Sequence, residues 1–222
     1  MARRTKEEAL ATRHRLIDAA ELLFQAQGVS HTSLQQIAEK AGATRGAVYW
    51  HFKDKADIFN AMMERVTLPL ENAAHEAGLS DDDPLGQIEH VMIEALRLMT
   101  TDPQARRVFE VATHKVEYTS EMASVQERHL SVRNECLVDF EKAMRLAARR
   151  SRMKLAVPAA TASMGLHALI SGLIQDWLLY PGAFDLVKTG RATFRAYLVG
   201  LGFPRPAIGE EVAPASAASA PR

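Results

Sequence analysis

A single cysteine in 222 residues leaves no disulfide framework and no zinc site of the thiolate type. No apolar run is long enough to cross a bilayer and nothing reads as a signal peptide, so a cytoplasmic protein without membrane contact is expected. Neither charge is in excess: 27 Lys and Arg balance 27 Asp and Glu. That balance argues against a protein that coats nucleic acid indiscriminately. No stretch alternates as a strand does, and no period marks internal repeats. The carboxylate run Asp81-Asp82-Asp83 lacks the alternate ligands and distal Glu of a Ca²⁺ loop. Its expected role is to solvate a loop and cap the helix at Pro84. An all-α enzyme would have to work through His114, Glu117 or His167. No nucleophile, base and orienting group accompany them, and no His-Glu-x-x-His spacing occurs. No enzyme activity, cofactor or metal is therefore expected.

What is present is helix. Apolar residues make up 47% and charged ones 24%, as in an ordinary globular protein. The periodicity predicts an all-α chain of about nine helices. The first runs from about Glu7 to Gln27 and closes at Gly28. Thr32-Ser33-Leu34-Gln35 reads as a capping box, with Thr32 as cap and Gln35 as its partner. Leu34, Ile37, Ala38 and Ala41 follow at helical spacing, and Gly42 ends that helix in the left-handed manner. Thr44 caps the next helix, in the short, basic and aromatic stretch Thr44 to Lys55. Val48 and Phe52 share its buried face. Arg45 and Tyr49 share another, with Trp50 and His51 beside them. Gly46 at an exposed helical position suits close approach to a backbone. Two short helices joined by a tight turn form a helix-turn-helix, whose second helix enters the DNA major groove. Arg45 is the expected base-edge contact. Thr32, Ser33, Tyr49, Trp50, His51 and Lys55 are expected around it, with Thr32, Tyr49, His51 and Lys55 on phosphates. Thr44 and Gly46 support close approach. Arg3, Arg4, Lys6, Arg13 and Arg15 form a basic terminus that either reaches toward DNA or stays solvated.

Gly28, Thr32, Ile37, Ala38, Ala41-Gly42, Thr44-Arg45-Gly46, Tyr49-Trp50-His51-Phe52, Lys55 and Phe59 together resemble the N-terminal signature of the TetR family of bacterial repressors. Met1 to Ala9 and His114-Lys115-Val116-Glu117-Tyr118 resemble, more loosely, its AcrR-like branch, which governs multidrug efflux pumps. The resemblance implies a homodimer on a palindromic operator, released by an apolar or drug-like inducer. A relative tuned to one metabolite, or a DNA-binding structural factor without ligand, remains the alternative. The expected division is 1–54 as the DNA-binding domain, 55–203 as the ligand-binding and dimerisation domain, and 204–222 as a disordered tail rich in Pro, Ala and Ser.

From Lys55 onward the expected helices are Lys55 to Ala77 (kinked or restarted at Pro69), Leu85 to Met99, Pro103 to Tyr118, Ser120 to Met153, Pro158 to Tyr180 and Phe184 to Leu201. Soft or polar residues at inward positions suggest a cavity: Ile88, Met92, Ala95, Met99, Phe109, Thr113, Cys136, Phe140, His167, Ile170 and Ser171. For each residue taken alone, core packing is the more ordinary reading. The resemblance places a ligand cavity between these middle helices. Leu173, Trp177, Tyr180, Phe194 and Leu198 form apolar stripes on the two final helices and are the expected dimer interface. Gly165 and Gly172 there permit close approach.

Overall fold

The computed structural model describes residues 2–77 and 83–204, with side chains for 6–68 and 83–204. The expected disordered tail beyond Pro204 therefore lies outside the described residues. Among those described there are nine α-helices and no strand. They are α1 (Ala2–Gln27), α2 (Leu34–Lys40), α3 (Arg45–His51), α4 (Lys55–Ala77), α5 (Pro84–Thr101), α6 (Pro103–His114), α7 (Ala123–Arg150), α8 (Ala159–Leu179) and α9 (Leu186–Gly200). A 3-10 turn, Ser120–Met122, leads into α7.

Local chemistry sets the ends of these helices. Gly28 and Gly42 carry φ of +85° and +61°, the left-handed conformation that glycine tolerates best. The capping box lies one residue later than expected. Ser33 Oγ accepts from Gln36 N at 3.2 Å, and Ser33 N donates to Gln36 Oε1 at 2.8 Å. Thr32 is displaced from that role because its hydroxyl donates to the Gly28 carbonyl at 2.8 Å. Asp54, Asp83 and Asp102 cap α4, α5 and α6 through the amides of Asp57, Gly86 and Gln104. Helix α4 runs on through Pro69 without a restart. Helix α6 stops at His114, four residues short of Tyr118, and the Lys115 carbonyl accepts instead from Val29 N at 3.0 Å. That bond ties the loop after α6 to the loop between α1 and α2.

Two apolar cores result. The first joins α1 to α4 with Ala105, Val108 and Val111 of α6, and with Met122 and Val125. The second joins α5, α7, α8 and α9 around Met99, Met144, Leu166 and Phe194. Phe109 packs against both. Ala56, Ile58, Phe59, Ala61, Met62 and Val66 of α4 belong to the first core, so the expected break between residues 54 and 55 does not coincide with a break in packing.

Glu21 is buried within the first core at 2% exposure, and it is fully paired. Its Oε2 accepts from Arg65 Nη2 at 2.6 Å and Gln104 Nε2 at 3.1 Å, and its Oε1 accepts from Arg107 Nε at 2.6 Å. One carboxylate thus joins α1, α4 and α6.

Gly165 serves a different neighbour from the one expected. It makes room for Tyr197 of α9, whose hydroxyl donates to the Ala162 carbonyl at 2.9 Å. A Cβ at 165 would stand 2.2 Å from that hydroxyl. Tyr197→Phe, which removes that hydroxyl alone, should cost about 1 kcal/mol, the worth of the lost hydrogen bond. An unchanged denaturation midpoint would contradict this packing.

Candidate DNA-reading helix and ligand cavity

Helix α3 stands out from the first core. Val48 and Phe52 anchor it, at 0% and 2% exposure. Thr44 Oγ1 accepts from Ala47 N at 3.1 Å, which fixes its first turn. On the outer side Tyr49 and Trp50 are exposed by 51% and 72%. Large aromatics are rarely left in water without a partner. Arg45 Nη2 donates to the Tyr49 hydroxyl at 3.3 Å, and its guanidinium lies 5.6 Å from the ring centroid. The pair is therefore held as a planar donor fork beside an aromatic edge. Trp50 meets His51 edge-on at 4.4 Å. Burial, reinforced by the charge of Arg13, lowers the His51 pKa. An open groove runs from Ser30 through Gln35, past Arg45 and Tyr49, to Lys53 and Lys55.

Two expected phosphate contacts are placed differently. Thr32 is 2% exposed and its hydroxyl is engaged internally, donating to Gly28 and accepting from Gln27 Nε2 at 3.2 Å. Lys55 is 7% exposed, and its ammonium lies 3.4 Å from Glu121 Oε1 in the turn before α7. Thr32 is a structural residue here, and Lys55 shares its charge with a carboxylate. Ser33 stays exposed at the groove with its hydroxyl engaged as a cap. Arg45, Gly46, Tyr49 and Trp50 form the outer face of α3, with His51 half-buried beside them.

A second concavity of about 190 Å³ lies between α4, α6, α7 and α8. Helix α4 contributes Phe59, Asn60, Met63 and Thr67. Helix α6 gives Phe109 and Ala112, and α8 gives His167. Helix α7 contributes Val125, Arg128, His129, Val132, Arg133 and Cys136, and Tyr118 stands at the rim. The Tyr118 ring lies 6.3 Å from His129, and both residues are exposed, so this pair marks the mouth. Arg128 Nη1 is neutralised by Glu64 Oε1 at 2.8 Å. Buried side-chain polar atoms normally find partners. Among the described residues four do not, and three of them belong to this lining: Asn60 Oδ1, Thr67 Oγ1 and Arg133 Nε. Desolvation, then the charges of Arg133 and His129, lower the His167 pKa.

The third surface is the outer side of α8 and α9. Met164, Ala168, Leu179 and Tyr180 are exposed on α8 and just beyond it, and Ala192, Ala196 and Val199 on α9. Gly172 faces open space. This side mixes large and small apolar residues, with Ser171 and Gln175 exposed among them.

Family models match most of the chain. Residues 16–62 match "Bacterial regulatory proteins, tetR family", and 83–203 match "MAATS-type transcriptional repressor, C-terminal region". The chain belongs to the TetR family. Among relatives, it is 39% identical over 199 residues to the transcriptional regulator AcrR of Shigella flexneri, covering 86% of this chain and 89% of that protein. The crystal structure of NalD, the secondary repressor of the MexAB-OprM multidrug efflux pump in Pseudomonas aeruginosa, superimposes with a TM-score of 0.79. It is 38% identical, with 88% of this chain and 98% of that one covered. The complex of SmeT with triclosan superimposes with a TM-score of 0.74 at 29% identity, covering 91% and 99%; SmeT represses the Stenotrophomonas maltophilia efflux pump SmeDEF. As a TetR-family member the chain is a transcriptional regulator and not an enzyme, and its all-helical architecture is that of these repressors.

Against this family fold, the expected cavity residues divide. Phe109, Cys136 and His167 line the cavity. Ile88, Met92 and Met99 do not: α5 lies on α7 and α9, and these side chains fill the second core. Phe140 and Ile170 pack against the same core, and Ala95 and Thr113 are half-buried away from the cavity. Ser171 is exposed beside His167, its Oγ 3.5 Å from Nδ1. Asn60, Met63, Thr67 and the α7 residues were not anticipated. A signal existed for them: Asn60, Met63 and Thr67 share one face of α4, and His129, Val132, Arg133 and Cys136 recur at helical spacing on α7.

The dimer stripe also divides. Trp177, Phe194 and Leu198 turn inward, at 5%, 0% and 4% exposure. Trp177 is covered by Arg106, whose guanidinium lies 5.1 Å from the ring centroid. Leu173 is half-buried against the second core, and only Tyr180 of the five is fully exposed. The residues facing outward are Met164, Leu179 and Tyr180 together with small ones such as Ala168, Ala192 and Ala196.

Proposed function

We propose that the chain is a ligand-released repressor of a multidrug efflux operon. Two copies pair through the outer faces of α8 and α9, and two α3 helices read a palindromic operator. Residues 1–54 act as the reading head and 55–203 as the sensing and pairing part. The observation that carries this reading is the path of α4. It starts beside the groove at Lys55, then lines the cavity with Phe59, Asn60, Met63 and Thr67. Phe59 touches the ligand space on one side and Phe24 of α1 on the other, with ring centroids 6.3 Å apart. A molecule filling the cavity therefore presses on the core that carries α3. It favours the state in which the two heads no longer match half-sites roughly 34–36 Å apart, or a multiple of that. The likeness to NalD and SmeT supports efflux control, and the SmeT complex supports a small aromatic inducer.

Titration of the promoter fragment upstream of its own gene, followed by fluorescence anisotropy at moderate salt, tests this reading. Saturable binding that triclosan or another apolar aromatic compound reverses is the expected result. Binding indifferent to unrelated sequence, or none to this promoter, would count against it.

Glu121 provides a second check. Because its carboxylate holds Lys55, Glu121→Gln should free the ammonium for a DNA phosphate and tighten operator binding. The gain should shrink as salt screens the contact. Equal affinities for wild type and variant at low salt would mean that Lys55 plays no part on DNA.

A further inference from the structure

Resting on the repressor reading above, the chemistry of the cavity narrows its ligand. The described lining holds no carboxylate; its basic residues are Arg128, Arg133, His129 and His167, beside the weak acids Tyr118 and Cys136. Arg128 is matched by Glu64. Among the described residues Arg133 is matched by no carboxylate. Its Nη2 donates to the amide oxygen of Asn134 at 3.1 Å, a neutral acceptor, and its buried Nε has no acceptor among them. A buried guanidinium N–H without a partner is a costly state unless something completes it. Across the cavity, on α4, two further buried atoms lack partners: the Asn60 amide oxygen and the Thr67 hydroxyl, seven residues apart on one helical face. At a rise of about 1.5 Å per residue they stand roughly 10 Å apart along the axis. Between these polar ends lie Phe59, Met63, Phe109, Ala112, Val125 and Val132.

We propose that the cavity takes a small aromatic acid, a flat apolar body whose carboxylate or phenolate completes Arg133 and whose hydroxyl, where it has one, donates to Asn60. The volume of about 190 Å³ fits this class. It is smaller than the roughly 300–1,000 Å³ of sites for drug-sized molecules, and suits one or two rings. The guanidinium of Arg133 disfavours a cationic ligand, because two like charges in a partly dry site repel. The rim pair Tyr118 and His129 offers an aromatic edge past which a flat molecule slides. The sensor therefore selects aromatic acids over the amines and quaternary ammonium compounds of similar size and hydrophobicity.

The test uses the full chain and three shape-matched probes at pH 7.5: biphenyl-4-carboxylate, its methyl ester and 4-phenylbenzylamine. Isothermal titration reads binding of each, and anisotropy reads operator release in parallel. The carboxylate should bind about tenfold or more tightly than the ester, as a charge-assisted hydrogen bond requires. The ammonium probe should bind more weakly still. Arg133→Gln should bring the carboxylate down to the level of the ester while ester binding persists. That persistence shows that the variant is folded, and Arg133→Lys should recover part of the preference. Equal binding of all three probes, stronger binding of the amine, no binding of any probe, or a preference that survives Arg133→Gln would each overturn the inference. Operator binding separates this failure from that of the repressor reading. A chain that binds its operator but ignores charge in its ligand remains a repressor with a different inducer. One that prefers the carboxylate but binds no operator keeps the cavity assignment and loses the repressor reading.

Discussion

Glu21→Ala should lower the unfolding free energy by about 3–5 kcal/mol, the cost of removing one partner from a buried ionic cluster. The carboxylate is 2% exposed and accepts three hydrogen bonds from Arg65, Arg107 and Gln104. Its loss leaves Arg107 without its partner and Arg65 with only Asp18, at 2.5 Å on the helix surface. Three helices are tied at this point, and two of them, α4 and α6, line the cavity. A second consequence therefore follows for Glu21→Gln, which keeps the shape and removes the charge. It should be less destabilised than the alanine variant, yet respond less to inducer, because α1 is then held less firmly to the helices that sense it. Urea denaturation measures the first effect, and operator release at saturating ligand the second. A loss below about 1 kcal/mol for Glu21→Ala, within the range of an exposed pair, would contradict the buried cluster.

Arg45→Ala should weaken operator binding by about 1–3 kcal/mol and flatten discrimination at one base pair of each half-site. The structure presents this guanidinium pre-oriented on Tyr49 at the outer face of α3, so little side-chain freedom remains to be lost on binding. Tyr49→Phe removes only the acceptor that holds Arg45. It should give a smaller loss in the same direction, with base preference retained. Competition between operator variants and random duplex separates the two effects. If Arg45→Ala keeps both affinity and base preference, α3 does not lie in the groove as described.

Much of the reading head was legible in the sequence because its signals are local. A cap at Thr44, a left-handed Gly42 and an Asp54 cap each act within one helical turn, and the bonds to Ala47 and Asp57 appear where those residues imply. The bounds of α4 followed likewise from Asp54 and helical periodicity. Contacts between distant segments were not legible. Nothing near Lys55 announces Glu121, and nothing near Trp177 announces that Arg106 will cover it. An apolar stripe on α8 or α9 has two candidate partners, the chain's own core and a second copy. Trp177, Phe194 and Leu198 took the core, while Met164, Leu179 and Tyr180 stayed outside with smaller residues such as Ala168, Ala192 and Ala196. The methionines of α5 were misplaced for the same reason, since soft apolar residues suit a filled core as well as a cavity. Glu21 carried an overlooked signal. It lies between Ile17 and Phe24 at helical spacing, so a charge stood on the buried stripe of α1 and required partners.

The central claim is that the cavity and the reading helix are coupled through α4 and Phe59. Linkage tests it most directly. Operator affinity is measured with and without saturating biphenyl-4-carboxylate or triclosan, and the affinity of the same compound is measured with and without saturating operator. The same factor is expected in both directions, about 5-fold to 150-fold, the usual range of such coupling. A compound that binds the cavity equally well whether or not the operator is present would contradict it.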